Sequence, residues 1–397
     1  LFLPSFHRVV YCIVHLVHAQ HLNISSMNNC LLVNLVIEQY PIEATPKYNF
    51  PQGDMDTTLP HKLIELSLHS LKHVQNQCFQ LNQQTVQQFG NMSSYENDHE
   101  LRIRCKPLTL KPLRMDDVVA AVDTSTIKIG ETDTGILIAV RGANVWKQDK
   151  RYRYMRFGPF IFHVTEENKK QVYETLENTY FSFPPERNHQ SVPTFLQMPT
   201  RIANLLERWL QKMIGKTMSH GLILFDGSLM AGTPDNPTCR MKEILATARK
   251  GDNVVLAFSK MTNLRLGGRL ITDLSPNQPP PYLFETEGLK LKPPMVLLGD
   301  LYVAKLTRGN LSFRLDIDKE IGSQHHVEAV ERLLGNDVFT QSYPETLRLA
   351  HILCTFTANE VLAMQHCVTR RFGLQIINRP DMHRLLFGPF GKGETYS

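Results

Sequence analysis

The chain has 397 residues, 42% of them hydrophobic and 20% charged, a balance that excludes a fibrous or disordered polypeptide and leaves room for one large domain with appendages, or two domains. Its formal charge of +5, from 43 Lys and Arg against 38 Asp and Glu, is mild, so a nucleic-acid partner would have to be met by local clusters. The seven cysteines (Cys12, Cys30, Cys78, Cys105, Cys239, Cys354, Cys367) form no Cys-x-x-Cys pair, which argues against a zinc ribbon or a disulfide framework and fits a reducing cytoplasm.

Residues 1–56 read as an extension, disordered or upstream of the true start. Their apolar run, Val9 to Val17, is interrupted by His15 and too short to span a bilayer. With Arg8 as the only preceding basic residue it also makes a poor signal peptide, so no membrane association is expected. No Met precedes Met27, and translation is expected to begin at Met27 or Met55. From His61 to Val86, Ile64, Leu68, Leu71, Val74, Cys78 and Leu81 recur every three or four residues and predict one long helix. Residues 90–99 then read as a linker.

Val118 to Val122, followed by Asp123-Thr-Ser-Thr and the alternation Ile127, Ile129, predicts a strand. Thr134 to Arg141 and Tyr152 to Val164 predict two more, and the short connections imply an antiparallel meander. A helical region over 165–179 and a Pro-rich loop from Phe183 follow. Arg201 to Gly215 is an amphipathic helix with Ile202, Leu205, Leu206, Trp209, Leu210, Met213 and Ile214 on one face and Glu207 at its flank.

The most informative stretch is Leu222 to Leu229, Leu-Ile-Leu-Phe-Asp-Gly-Ser-Leu. Its apolar half reads as a strand buried on both faces that delivers Asp226 at its exit. Asp-Gly is ordinary turn chemistry, so Asp226 alone reads first as a turn residue and second as a cation ligand. A helix over 238–249 and a buried strand from Asn253, closing at Lys260, come next. Pro294 to Leu306 and Leu311 to Ile317 predict a strand pair. Tyr343-Pro344 is expected to open a helix with Pro in its first turn, presenting Leu347, Ala350, His351 and Cys354 on one face. Thr357 to Glu360 is a capping box that starts a second helix, with Gly373 as its stop.

Three strands, helix, strand, helix, strand is the order of the ribonuclease H-like fold. Its first and fourth strands lie side by side, which would bring Asp123 and Asp226 together. Carboxylates that close repel unless divalent metal neutralises them. Asp123 in Val-Asp-Thr-Ser, Asp226 in Phe-Asp-Gly-Ser-Leu, the strand ending Ala-Phe-Ser-Lys260, and Tyr343-Pro with Leu-Ala-His351 eight residues on together resemble the NurA nucleases, DNA-end-processing enzymes of archaea and bacteria. The resemblance covers about Asp116 to Gly373.

It implies an α/β fold, a ribonuclease H-like mixed five-stranded sheet flanked by helices, with an N-terminal helical region and a C-terminal helical addition. The nuclease domain would be 112–378, after a helical region and linker over 57–111 and before a tail over 379–397. The family's acidic set matches Asp123, Glu207 and Asp226, and its Tyr and His match Tyr343 and His351. The resemblance thus implies two Mn2+ or Mg2+ ions held by Asp123, Glu207, Asp226 and His351, with Tyr343 completing the catalytic set. Implied with it are 5′-to-3′ exonuclease and single-strand endonuclease activity on single-stranded DNA and duplex ends, a homodimer, and docking on a HerA-type hexameric ATPase in end resection. Thr124 departs from the Gly that often follows the first Asp.

The chain has no Gly-x-x-x-x-Gly-Lys-Ser/Thr loop, and Gly388-Pro-Phe-Gly-Lys392-Gly has the wrong spacing, so ATP-driven translocation would have to come from a partner. Between Arg240 and Arg269 lie seven basic residues against Glu243 and Asp252, and of these Lys260, Arg240, Arg249, Lys250 and Arg265 are the expected DNA-backbone contacts. A second cluster interleaves Lys150, Arg151, Arg153 and Arg156 with Tyr152 and Tyr154. Two other readings stay open: a non-catalytic nucleic-acid-binding protein on the same fold, and a ribonuclease H-like enzyme that cleaves RNA or hybrids.

Overall fold

The computed structural model describes residues 58–376, apart from 76, 82–101, 104–106, 181–192, 234–235, 261, 267–268, 272–278, 288, 290 and 310. The expected extension over 1–56, the linker over 90–99, the Pro-rich loop from Phe183 and the tail over 379–397 lie outside the described residues.

Helix α1 (Thr58–Lys72) buries Leu63, Leu66 and Leu71. It does not run on to Val86 as its stripe predicts. After Val74 the chain turns, and Cys78–Leu81 form strand β1. The cause is a sheet edge: β1 pairs with Gly130 to Thr132 of the next long strand, whose backbone groups would otherwise lack partners there.

The meander is as the alternating runs predict. Strands β2 (Val119–Thr132), β3 (Gly135–Gln148) and β4 (Arg151–Thr165) pair antiparallel in sequence. Helix α2 (Lys169–Tyr180) follows, then α3 (Met198–Thr217), whose seven predicted apolar residues are all buried. At Gly142 of β3, an added Cβ would lie 2.6 Å from Leu210 Cδ1 of α3, so glycine is what lets the helix lie this close to the sheet. Strand β5 (Leu222–Asp226), helix α4 (Thr238–Lys250) and strand β6 (Val254–Ser259) complete the predicted sequence of elements.

Strand β5 lies between β2 and β6 and is parallel to both, so the sheet order is β4-β3-β2-β5-β6. The sheet does not stop at the five strands expected. Beyond β6 it continues antiparallel through β9, β8 and β7, formed in chain order by Tyr282–Glu287 (β7), Gly299–Lys305 (β8) and Phe313–Asp318 (β9). Twelve strands join it among the described residues. Strand β6 is apolar on both faces and makes a poor edge, since Leu256 and Phe258 pack into one layer and Val255 and Ala257 into the other.

Those two layers set the site. Ala120, Val122, Ile223 and Phe225 pack with α3 and α4 on one face. Val119, Ala121, Leu222 and Leu224 pack on the other with helices α5 (Gln324–Asn336) and α6 (Glu345–Cys354). By strand alternation Asp123 and Asp226 belong to the α6 face. Tyr343-Pro344 does not begin α6. These residues pair as a short strand with Phe339-Thr340, and Pro344, extended at ψ 128°, is the N-cap of a helix that starts at Glu345. Helix α7 (Ala358–Phe372) starts on the predicted Thr357/Glu360 capping box and ends on Gly373 at φ 61°. Strand β10 (Gln375–Ile376) returns to pair with β1. Among the described residues no helix is long and apolar enough to cross a membrane.

His163 of β4 is fully buried under α1 and sits 2.9 Å from Thr132 Oγ1 through Nε2. Burial, reinforced by His73, pushes its pKa down to about 4. A histidine kept neutral in the fold binds its proton more readily when unfolded, so its contribution is whole above about pH 6.5 and is lost as the pH falls toward 4. Denaturant unfolding at a series of pH values should show His163→Gln losing stability less steeply across that window, by up to about 1.4 kcal/mol per pH unit. Equal slopes in the two proteins contradict the assignment.

Candidate metal centre

Two parallel strands bring the carboxylates together. Val122 pairs with Phe225, so the next residues, Asp123 and Asp226, stand side by side. Strand β5 stops there and Gly227, at φ 111°, turns the chain away, a conformation that glycine adopts without strain. Strand β2 continues, and its pairing on that side resumes only where β1 meets Gly130. The two aspartates therefore sit where the sheet opens.

Each is already engaged. Asp123 accepts from the Thr124 amide through Oδ1 and meets His351 Nδ1 of α6 through Oδ2, both at 2.7 Å. Asp226 Oδ2 accepts from Lys260 Nζ, just past the end of β6, at 2.6 Å. The ammonium also lies 5.2 Å from the centre of the Tyr343 ring. Burial raises the Asp226 pKa, Lys260 opposes that, and Asp123 adds to it.

Glu207 arrives from α3, on the opposite face. It accepts from Gln211 Nε2 at 2.9 Å and, more weakly, from Thr124 Oγ1 at 3.4 Å. The hydroxyl of Thr124, at the position where glycine was expected, is therefore a tie between β2 and Glu207. Burial drives Glu207 upward, the charge of Arg208 opposes it, and Asp123 and Asp226 reinforce it, leaving the carboxyl at about 7.

Tyr343 packs edge-on against Phe258 and beside Phe313. Its buried hydroxyl meets no partner in hydrogen-bond geometry. Burial, then the neighbouring charges of Asp226 and Asp123 and the hydroxyl's approach to the Asp226 carboxylate, push its pKa up, so it stays a phenol able to donate to Asp226. The structure thus gathers all five expected residues, Asp123, Glu207, Asp226, Tyr343 and His351, around the end of β5.

It adds Cys354, which the sequence reading placed only on a buried helix face. Cys354 follows His351 by three residues on α6, and its Sγ, a nitrogen of His351 and an oxygen of Asp123 lie within 4.8 Å of one another. Burial and the Asp123 charge hold it as a thiol. The i, i+3 spacing was a signal in the sequence; that the helix would turn this pair toward Asp123 was not.

Can this constellation hold a cation? Three carboxylates from three elements lie close enough to act on one another, Glu207 is raised toward neutrality by burial with Asp123 and Asp226 reinforcing it, and the Tyr343 hydroxyl lies beside Asp226. Hard oxygen donors with one imidazole suit Mn2+ or Mg2+, and Asp123, Glu207 and Asp226 would hold such an ion. The residues fit in chemical type. The donors that lie within 4.8 Å of one another are Asp123, His351 and Cys354, so Lys260 would have to leave Asp226 and the carboxylates draw together around an ion.

The expected DNA-contacting residues have different surroundings. Arg240 was expected on DNA, yet its side chain is 3% exposed and reaches Glu177 Oε1 of α2 at 3.0 Å. A charge this buried needs its partner inside the protein, so Arg240 is an internal tie. Arg249 is paired with Asp318 at 2.5 Å and Glu320 at 2.6 Å. Lys250 and Arg265 are exposed. In the second cluster, Arg156 of β4 lies on the same cross-strand row as Asp123, two strands away, and pairs with Glu360 at 2.9 Å.

No protein-family model and no curated protein matches the sequence. Among solved structures the chain is similar to the NurA nuclease from Sulfolobus solfataricus, with 15% identity and a TM-score of 0.41 over 67% of this chain and 88% of that one. It is also similar to an endonuclease V from Bacillus subtilis, with 11% identity and a TM-score of 0.31 over 66% and 88%. Likenesses of this size do not bear on activity, for which the geometry above has to speak.

Lys260 occupies Asp226 as a bound cation would. Removing a positive charge that competes for the same carboxylate should tighten divalent binding. Calorimetric titration with Mn2+ is expected to show Lys260→Met binding several-fold more tightly than the wild type. Equal or weaker binding would mean that Asp226 is not a ligand.

Proposed function

We propose that the chain is a divalent-metal-dependent nuclease acting on DNA. The observation that carries this reading is the meeting of Asp123, Asp226 and Glu207 at one sheet opening, with burial and mutual repulsion raising Glu207 to about 7. Such a cluster is costly for a protein to keep unless something cationic is bound to it. When bound there, hard divalent ions would stabilise charge on a phosphodiester and lower the pKa of an attacking water.

The chain's own residues then have distinct tasks. Asp123 and Asp226, fixed on adjacent rigid strands, set the position of the cationic centre. His351 holds Asp123 in orientation through Nδ1. Tyr343 offers its hydroxyl to a phosphate oxygen. Lys260, once released from Asp226, lies within reach of the same phosphate as a charge that reads no sequence. The NurA resemblance extends the proposal to 5′-to-3′ exonuclease and single-strand endonuclease activity, a ribonuclease H-like core, a homodimer and a HerA-type ATPase partner.

The test is cleavage of end-labelled single-stranded and duplex DNA with Mn2+. Asp123→Asn and Asp226→Asn should each lower the rate by at least about 1,000-fold, with DNA affinity held within a few-fold, because the carboxylates act in the transition state. If the wild type cuts no faster than these variants, the protein binds nucleic acid without cleaving it. Preference for RNA or hybrid in the same assay would move the reading to a ribonuclease. Replacing Lys250 and Arg265 together with Gln should flatten the salt dependence of DNA binding by about 0.7 to 0.9 log units per lost phosphate contact. An unchanged slope places the DNA elsewhere.

A further inference from the structure

Beside the hard carboxylate centre lies a second donor set of different chemical character. His351 and Cys354 are three residues apart on α6 and project to the same side of the helix, while Asp123 meets them from β2. The three donor atoms lie within 4.8 Å of one another, near enough for side-chain shifts to bring them to the roughly 3.3 to 3.6 Å that separates the donors of one tetrahedral zinc ion. Carboxylate, imidazole and thiol together are a poor match for Mg2+ and a good one for a borderline-soft ion.

We propose that Asp123, His351 and Cys354 form a thiolate-containing site for Zn2+, which shares Asp123 with the hard-ion centre and therefore makes zinc an inhibitor of the cleavage reaction. Three protein ligands leave the fourth tetrahedral position to water. On binding, the Cys354 thiol proton passes to solvent and the sulfur bonds zinc. One thiolate and one carboxylate then balance the ion's two charges, which suits a buried site. His351 gives up the bond between Nδ1 and Asp123 Oδ2, the Nδ1 proton moving to Nε2 as the ring takes its other neutral tautomer, so that the bare nitrogen bonds the ion. Asp123, which already faces α6, gives that carboxylate to zinc in place of the hard centre. The inhibitory consequence rests on the nuclease reading; the site itself does not.

Co2+ serves as the probe for the zinc site, on the full chain. The wild type should take up Co2+ with a thiolate-to-cobalt charge-transfer band in the near ultraviolet, and one equivalent of Zn2+ should bleach it. Cys354→Ser should lose the band and Cys239→Ser, a change at an exposed cysteine, should keep it. Zinc should also raise the melting temperature of the wild type and not that of Cys354→Ser or Cys354→Ala. In the Mn2+-supported assay, the zinc concentration that halves each protein's own rate should rise at least 10-fold in Cys354→Ser.

A wild type without the band, or a band retained in a folded Cys354→Ser, overturns the site. The two readings fail separately. A Cys354-dependent band in a protein that cuts no DNA upholds the zinc site and sinks the nuclease, whereas Mn2+-supported cleavage without the band does the reverse.

Discussion

Two like charges on neighbouring strands are the constraint on which the rest of this structure turns. Strands β2 and β5 run parallel, and their pairing sets Asp123 next to Asp226 where β5 ends. The strands themselves are held by apolar layers on both faces, so the carboxylates cannot move apart without disturbing the cores that α3 and α6 cover. Repulsion is met locally instead. Lys260 neutralises Asp226, His351 engages Asp123, and Glu207, reached from the other face, is raised toward its neutral form by burial first and by the two aspartates second. Each of these is a way of living with concentrated negative charge.

The same constraint explains the surrounding architecture. Gly227 lets the chain leave the sheet immediately after Asp226, which keeps the opening clear. Strand β1 covers the far end of β2 and leaves the stretch beside the aspartates open. Behind the loop that follows Asp226, Asp316 of β9 accepts from the Leu229 amide at 2.9 Å and is gripped by the buried Arg314 at 2.9 and 3.0 Å. The strands added beyond β6 thus support the turn that carries Asp226. A carboxylate that must coordinate within tenths of an ångström gains from such backing.

The two aspartates were legible in the chain because their placement depends on local periodicity, whereas Glu207, Tyr343 and His351 were implied as site residues only by the family resemblance. The apolar run of β5, the alternation in β2 and the stripe of α3 fix strand and helix identity, and the order of elements then places Asp123 beside Asp226. The capping box at Thr357 and the stop at Gly373 are local rules that the structure follows to the residue. What was not legible depends on distant partners. Arg240 belongs to a basic cluster in sequence, but Glu177, 63 positions earlier, takes it inside. The stripe of α1 continues numerically through Cys78, yet that segment is claimed by the free edge of β2. Tyr343 has a helix-opening neighbour in Pro344, but pairing with Thr340 draws both into a short strand. Cys354 joined the site only when α6 was seen to face Asp123.

The central claim is that the meeting of Asp123 and Asp226 is a cation site. Its most direct test is a crystal soaked in Mn2+ and measured near the manganese absorption edge. The account predicts an anomalous peak within about 2.0 to 2.3 Å of carboxylate oxygens from both Asp123 and Asp226, with Lys260 displaced from Asp226. A map without a peak there, with Lys260 still bonded to Asp226, would contradict it.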